Sequence, residues 1–305
     1  MALKFLQMLK VEPGTISTPE LHSYLLSAVA PRPIALASTM DENGNPNLSP
    51  FSFFNVFSAN PPIAIFSPAR RGRNNTTKDT YENVKKNSEV VINVVNYDLV
   101  QQTSLSSTEY ETGVNEFVKS GLTPISSEKV APFRVKESPV QLECKVREVV
   151  ELGNEGGAGN LVICEIVLMH IDENVLGEDG KIDQEKIDLV GRLGKNWYVR
   201  ASGESLFEVE KPLRTLGVGV DAVPQHIRNS FILSGNDLGK LANVDTIPEP
   251  LDDLSGHPEI KHIFRQHADA MERREALHIH AKELLEKDQV INAWNVLLSD
   301  KLNRI

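Results

Sequence analysis

The stretch spanning residues 30–60, APRPIALASTMDENGNPNLSPFSFFNVFSAN, decides how this chain folds. Residues 34–39 read as a strand, Asn43-Gly44 lies inside a turn that favours positive φ, and residues 47–55 read as the returning strand of a hairpin. Hydroxyl and amide side chains gather where these strands end, yet the stretch supplies no acid, base or nucleophile. Whatever binds there brings its own chemistry.

Working outward, Pro61-Pro62 punctuates the chain before a third strand at 63–67, a helix at 77–87 and a fourth strand at 89–96. The fourth strand is almost continuously apolar, the pattern of a strand covered on both faces. Upstream, residues 12–30 hold at least one helical turn and end at Pro31 and Pro33, which impose extended backbone. Downstream, 97–121 is polar enough for short covering helices. Long strands at 140–152 and 161–175 flank the loose turn GNEGGAGN. Six strands suffice for a small closed or split barrel, which leaves few exposed edges. From about Ser205 the pattern becomes helical: Pro248 and Pro250 mark a loop, 257–287 carries apolar residues at helical spacing, and a second helix runs through Trp294 and Leu298. The expected organisation is a β-rich domain over 20–204 and a largely helical extension over 205–305, without internal repeats.

The 305 residues, 40% hydrophobic and 24% charged, describe an ordinary globular protein. The apolar runs are too short to span a bilayer as helices, and residues 1–10 lack the features of a secretory signal, so a cytoplasmic location is expected. A net charge of -10 opposes broad attraction to nucleic acid or anionic membrane. Cys144 and Cys164 fall on strands that can be neighbours, and buried reduced thiols are expected there.

Positive charge is concentrated in one place, SPARRGRNNTTKDTYENV at 67–84. A strand ends at Ser67, a cationic loop with Arg70, Arg71 and Arg73 follows, and a helix begins near Thr77. Unpaired N–H groups at a helix start, with hydroxyls and cations beside them, form a cradle for phosphate. Arg70, Arg71, Thr77, Lys78 and Thr80 are its candidate ligands; Asp79 is either part of it or an N-cap paired with Glu82 in a capping box.

RPIALAST, NLSPFSFFN, NPP before IAIFS, and KDTYENV before VVINVVN occur in an order that resembles the flavin reductase-like family over about 21–200. Residues 217–244 also resemble the later part of longer members. The resemblance implies a mainly β fold with α elements: an FMN-binding split β-barrel with covering helices and, here, a C-terminal helical extension. It further implies FMN as cofactor, NADH or NADPH as electron donor, and a homodimer with a possible redox partner protein. Carried over residue by residue, it places Ser52, Phe53, Phe54 and Asn55 along the flavin ring and Ser38 and Thr39 near the ribityl chain or ring. Period-two alternation sets Ser52 and Phe54 on one face and Phe53 and Asn55 on the other, so not all four side chains touch the ring. In GRLGKNWYVR at 191–200, Arg192 can meet the cofactor or a nicotinamide phosphate, and Trp197 or Tyr198 can stack or simply line the rim. The implied activity is NAD(P)H-dependent flavin reduction, the alternative a flavoredoxin-like carrier that holds FMN without using pyridine nucleotide. No catalytic dyad is expected in either case.

Other chemistries read poorly. Gly217, Gly219 and Ala222 match a dinucleotide-binding spacing, but no buried strand precedes them and Pro224 interrupts the helix that should follow. The histidines at 257, 262, 267, 278 and 280 do not place two imidazoles on one helical face, so no metal site is expected.

Overall fold

The structure, a computed structural model, describes residues 8–212 and 216–300. It divides into two compact units, 1–207 and 208–305.

In the first unit α1 (Thr18–Ala28) leads into β1 (Ala35–Met40), β2 (Pro46–Phe51), β3 (Phe54–Ala59) and β4 (Pro62–Phe66), followed by α2 (Asp79–Asn87) and β5 (Glu89–Val94). Two short helices, α3 (Val100–Leu105) and α4 (Glu116–Ser120), and a small ribbon of β6 (Pro124–Ile125) with β7 (Arg134–Val135) precede the long strands β8 (Val140–Glu151) and β9 (Asn160–Ile171). The unit ends with α5 (Gln184–Ile187) and the hairpin of β10 (Val190–Arg192) and β11 (Tyr198–Arg200).

Seven strands form one antiparallel sheet in the order β2-β1-β5-β8-β9-β4-β3. Its two edge strands, β2 and β3, are consecutive in the chain and joined only by Ser52 and Phe53. Laid flat, six inter-strand gaps would separate these edges by roughly 29 Å, while so short a connection spans only about 10 Å. The sheet must therefore curl until its edges meet at residues 52–53 without pairing, which is what makes the barrel split. Register shifts at Glu143/Cys144 and Val146/Glu148 in the β8–β9 ladder supply local bends for that curl.

The sequence pattern expected one returning strand over 47–55; the structure breaks it in two. At Ser52 the chain leaves its pairing with β1, and the Phe53 carbonyl accepts from Ser67 N–H at 2.9 Å, opening the β3–β4 ladder. The bend resets the alternation, and Phe51 and Phe54 both pack on the same core. That core holds Ala35, Ala37, Phe66, Val90, Ile92 and Leu142. A second cluster, with Ile34, Leu36, Leu48, Leu99 and Phe117, lies against the other face of β1 under α3 and α4.

The second unit contains α6 (Gln225–Arg228), α7 (Gly235–Ala242), α8 (Pro258–Gln266), α9 (Ala270–Glu286) and α10 (Val290–Leu298), packed around the fully buried Trp294, whose indole N–H donates to Leu241 O at 3.1 Å. The single helix expected over 257–287 is two. Asp269 accepts from the N–H groups of Met271 and Glu272 and so starts α9 afresh. Among the described residues no helix is long and apolar enough to cross a membrane, and no cluster of three metal-ligating side chains occurs. Both cysteines are free and buried.

Candidate functional site

The seam at residues 52–53 is where distant parts of the sequence converge. The Phe51 ring lies 6.0 Å from Lys78 Nζ, Ser52 Oγ accepts from Arg32 Nε at 3.4 Å, and the Phe53 ring meets His22 of α1 edge-on at 6.2 Å. The strand end with its hydroxyls and the cationic loop before α2 thus become neighbours, although about 25 residues separate them in the chain.

Arg71, Lys78, Asp79 and Thr80 line one open cleft with Asn47, Ser49, Glu116 and the stretch from Ser106 to Tyr110. It is shallow and open, with a cavity volume of about 30 Å³. Lys78 is the N-cap residue of α2, so the unpaired N–H groups of that helix start here. Burial holds the Lys78 ammonium below its ordinary pKa, and the neighbouring Arg71 guanidinium lowers it further; Glu109 and Asp79 act in the opposite sense. Arg71 donates to Thr76 Oγ1 and Thr77 O, which fixes its guanidinium in place. Neither cation makes an ion pair among the described residues. The two cations are close enough to repel each other, with Glu109 and Asp79 as the opposing charges that act on Lys78.

The sequence allowed a capping box from Asp79 to Glu82. Instead Lys78 occupies the cap position with no side-chain bond, Thr77 Oγ1 donates to Glu82, and Asp79 accepts from Thr112 at 3.3 Å.

The remaining expected site residues fall into two groups. Ser38 is fully buried, and its Oγ has no hydrogen-bond partner among the described residues. Phe53 is exposed, Phe54 packs half-buried on the core, and Asn55 points its amide oxygen at Val56 N–H. By contrast, several side chains are committed to holding the fold. Thr39 accepts from the amides of Asn47 and Asn83 at 3.1 Å, and Thr80 accepts from Asn47 at 2.9 Å. Arg70 closes its own loop on Asn75, at 2.7 Å to both the side-chain and backbone oxygens. Ser67 Oγ accepts from Asn160 N–H at 3.1 Å.

Arg192 lies over the Tyr198 ring at 4.7 Å and donates to Trp197 O. Its backbone bridges to Arg32, whose guanidinium donates to the Leu26 and Val29 carbonyls at the end of α1 and to Leu193 O. Burial and the charge of Arg192 lower the Arg32 pKa. The hairpin seats this closely because residue 191 is glycine: a Cβ there would come 2.7 Å from Pro31 Cβ.

Arg32, Asn47, Ser49 and Glu116 are site residues that sequence reasoning did not select. Arg32 carried a visible signal, a lone cation between two prolines. Glu116 had none, since only folding brings α4 against β2.

Fold and site together define a split-barrel protein with a polar cleft, lined by charges of both signs, beside its seam. The flavin reductase like domain matches residues 27–186, and the chain belongs to that family. An uncharacterized protein of Aquifex aeolicus is 36% identical over 189 residues, covering 62% of this chain and 94% of its own. Among solved structures, nitrilotriacetate monooxygenase component B from Bacillus cereus superposes with a TM-score of 0.62 at 28% identity, covering 67% of this chain and 99% of that one. Flavoredoxin of Desulfovibrio vulgaris shares the fold, with a TM-score of 0.51 at 23% identity over 66% of this chain and 97% of its own.

Proposed function

We propose that the protein binds FMN at the seam of its barrel and reduces it with NADH or NADPH. The observation that carries this reading is the cleft shared by Lys78, at the start of α2, and Arg71, in the loop before it, neither of which makes an ion pair among the described residues. The residues present fit a phosphorylated flavin: the cations and α2 N–H groups suit its phosphate, the unpartnered Ser38 Oγ suits a polar group of the ligand, and Phe53 offers an apolar wall.

When bound, the flavin supplies hydride-accepting chemistry that no side chain in this chain provides. The protein's part is positional and electrostatic. Lys78 and Arg71 hold the phosphate end, while Ser52 and Phe53, anchored through Arg32 and Ser67, fix the strand end that orients the ring. Arg192, stacked on Tyr198 beside Arg32, keeps positive charge at the same rim, where it favours an anionic donor.

Loading the purified protein with FMN and mixing it anaerobically with NADH, and separately with NADPH, tests the proposal. Bleaching of the bound flavin absorbance at a turnover-compatible rate with either donor is the expected result. Bound flavin that neither donor bleaches would refute the reductase reading and leave an electron carrier. Failure to bind FMN would refute both.

A further inference from the structure

The loop that carries Arg71 into the cleft is held from outside its own sequence, by the turn between β8 and β9. Arg70 N–H donates to Ala158 O at 2.8 Å and Arg70 O accepts from Gly157 N–H at 3.0 Å, so the main chain of the loop is laced to that turn in both directions. The turn comes this close because residue 156 is glycine: a Cβ there would stand 3.2 Å from Arg71 O and from two atoms of Gly72. One side chain closes the rest. Half-buried Asn75 donates its amide to Asn154 O of the turn at 2.8 Å, and it accepts from Arg70 Nε on Oδ1 and from Arg70 Nη2 on its own carbonyl, both at 2.7 Å. Its N–H donates to Arg71 O at 3.0 Å, and Arg71 N–H donates to Thr76 O at 2.8 Å. Asn75 does this at φ 55°, in the left-handed region, which asparagine tolerates better than most residues that carry a Cβ.

We infer that Asn75 is a positioning residue of the cleft: by clasping Arg70 and the β8–β9 turn it fixes the main chain of Arg71, and with it the place at which the Arg71 guanidinium meets a phosphomonoester. This rests on the FMN reading, since the FMN phosphate is the group concerned. Arg70 then serves the clasp rather than the ligand. Its planar fork is spent on two Asn75 oxygens, a geometric match that lysine, a single point of charge, does not reproduce. Arg71 stands at the end of this chain of bonds, its guanidinium on Thr76 Oγ1 and Thr77 O, which belong to the same closed loop. A loop that must be ordered as the ligand binds subtracts that ordering from the affinity, so a loop already clasped binds more tightly. Neither Asn75 nor Arg70 lines the cleft, and their effect on a ligand passes through Arg71.

The test compares the FMN and riboflavin dissociation constants of the wild type, Asn75→Gly, Arg70→Lys and the double variant. Glycine keeps the left-handed backbone and removes only the side-chain clasp. Lysine keeps the charge and removes the fork. Each single variant is expected to weaken FMN binding by about tenfold, the scale of one charge-assisted phosphate contact, while riboflavin affinity stays within about threefold and reports that the variant is folded. The double variant should lose little more than either single one, because both break the same clasp. Unchanged FMN affinity in Asn75→Gly would overturn the inference. So would losses that add in the double variant, which would make Arg70 an independent ligand, and so would equal losses of FMN and riboflavin, which would show that the clasp only holds the fold. In a wild type that binds FMN more tightly than riboflavin, these outcomes leave the FMN reading intact. A wild type that binds the two equally would overturn phosphate recognition itself, and the inference with it.

Discussion

Removing the two cleft cations separates phosphate recognition from ring recognition. Arg71→Ala with Lys78→Ala deletes both positive charges that line the cleft, while Phe53, Ser38 and the Ser52–Arg32 contact lie outside the change. A hydrogen bond to a charged group contributes about 1.5–3 kcal/mol, so loss of Lys78 alone should weaken FMN binding by about tenfold to a hundredfold. The pair should cost less than the sum of the two. The Arg71 charge already lowers the Lys78 pKa, and removing either cation relieves that repulsion in the other. The double variant should lose about 3–4 kcal/mol, on the order of several-hundred-fold in dissociation constant. Flavin fluorescence quenching measures this directly, with riboflavin as control. Riboflavin affinity should change by less than about threefold, because no phosphate reaches the altered positions. Equal loss for FMN and riboflavin would refute the reasoning and point to collapse of the seam rather than loss of an anion site.

Other expectations follow from the same structure. Arg32→Ala leaves the Leu26, Val29 and Leu193 carbonyls without their donor; it should destabilise the first unit by about 3 kcal/mol in denaturant unfolding, and a loss under about 1 kcal/mol would contradict the anchoring role. His278 is buried against Ser230, which with like-charged neighbours brings its pKa from 6.5 down to about 4. Because the folded state binds its proton less readily than the unfolded chain, stability is complete above about pH 6.5 and falls as pH drops toward 4, by about 3 kcal/mol at most; His278→Gln should flatten that portion of the stability profile of the second unit. Burial pushes the Cys144 thiol up to about 12, and Cys164 is raised well above its ordinary value. A thiol reagent should therefore leave both unmodified in the native protein and label both on unfolding; rapid native labelling of either would contradict the buried placement.

Sequence alone determined the local and periodic features. Residues 34–39 carry a strand pattern, Asn43-Gly44 a turn, and 67–84 a strand end, cationic loop and helix in succession, because each is written in side chains within a few positions of one another. The order of the RPIALAST, SPFSFFN and KDTYENV motifs was sufficient to indicate the family and a barrel. The break at Ser52–Phe53 was not legible, since its cause is a change of hydrogen-bonding partner from β1 to β4, a pairing between strands rather than a property of either. That Thr39 accepts from the Asn47 and Asn83 amides and Thr80 from Asn47 was not legible either, and Glu116 looked like any helix glutamate until α4 packed it beside Leu48. Composition tells which groups are available. Which of them are spent on one another, and which remain to meet a ligand, depends on long-range contacts that exist only once the sheet has curled and its edges have met at the seam.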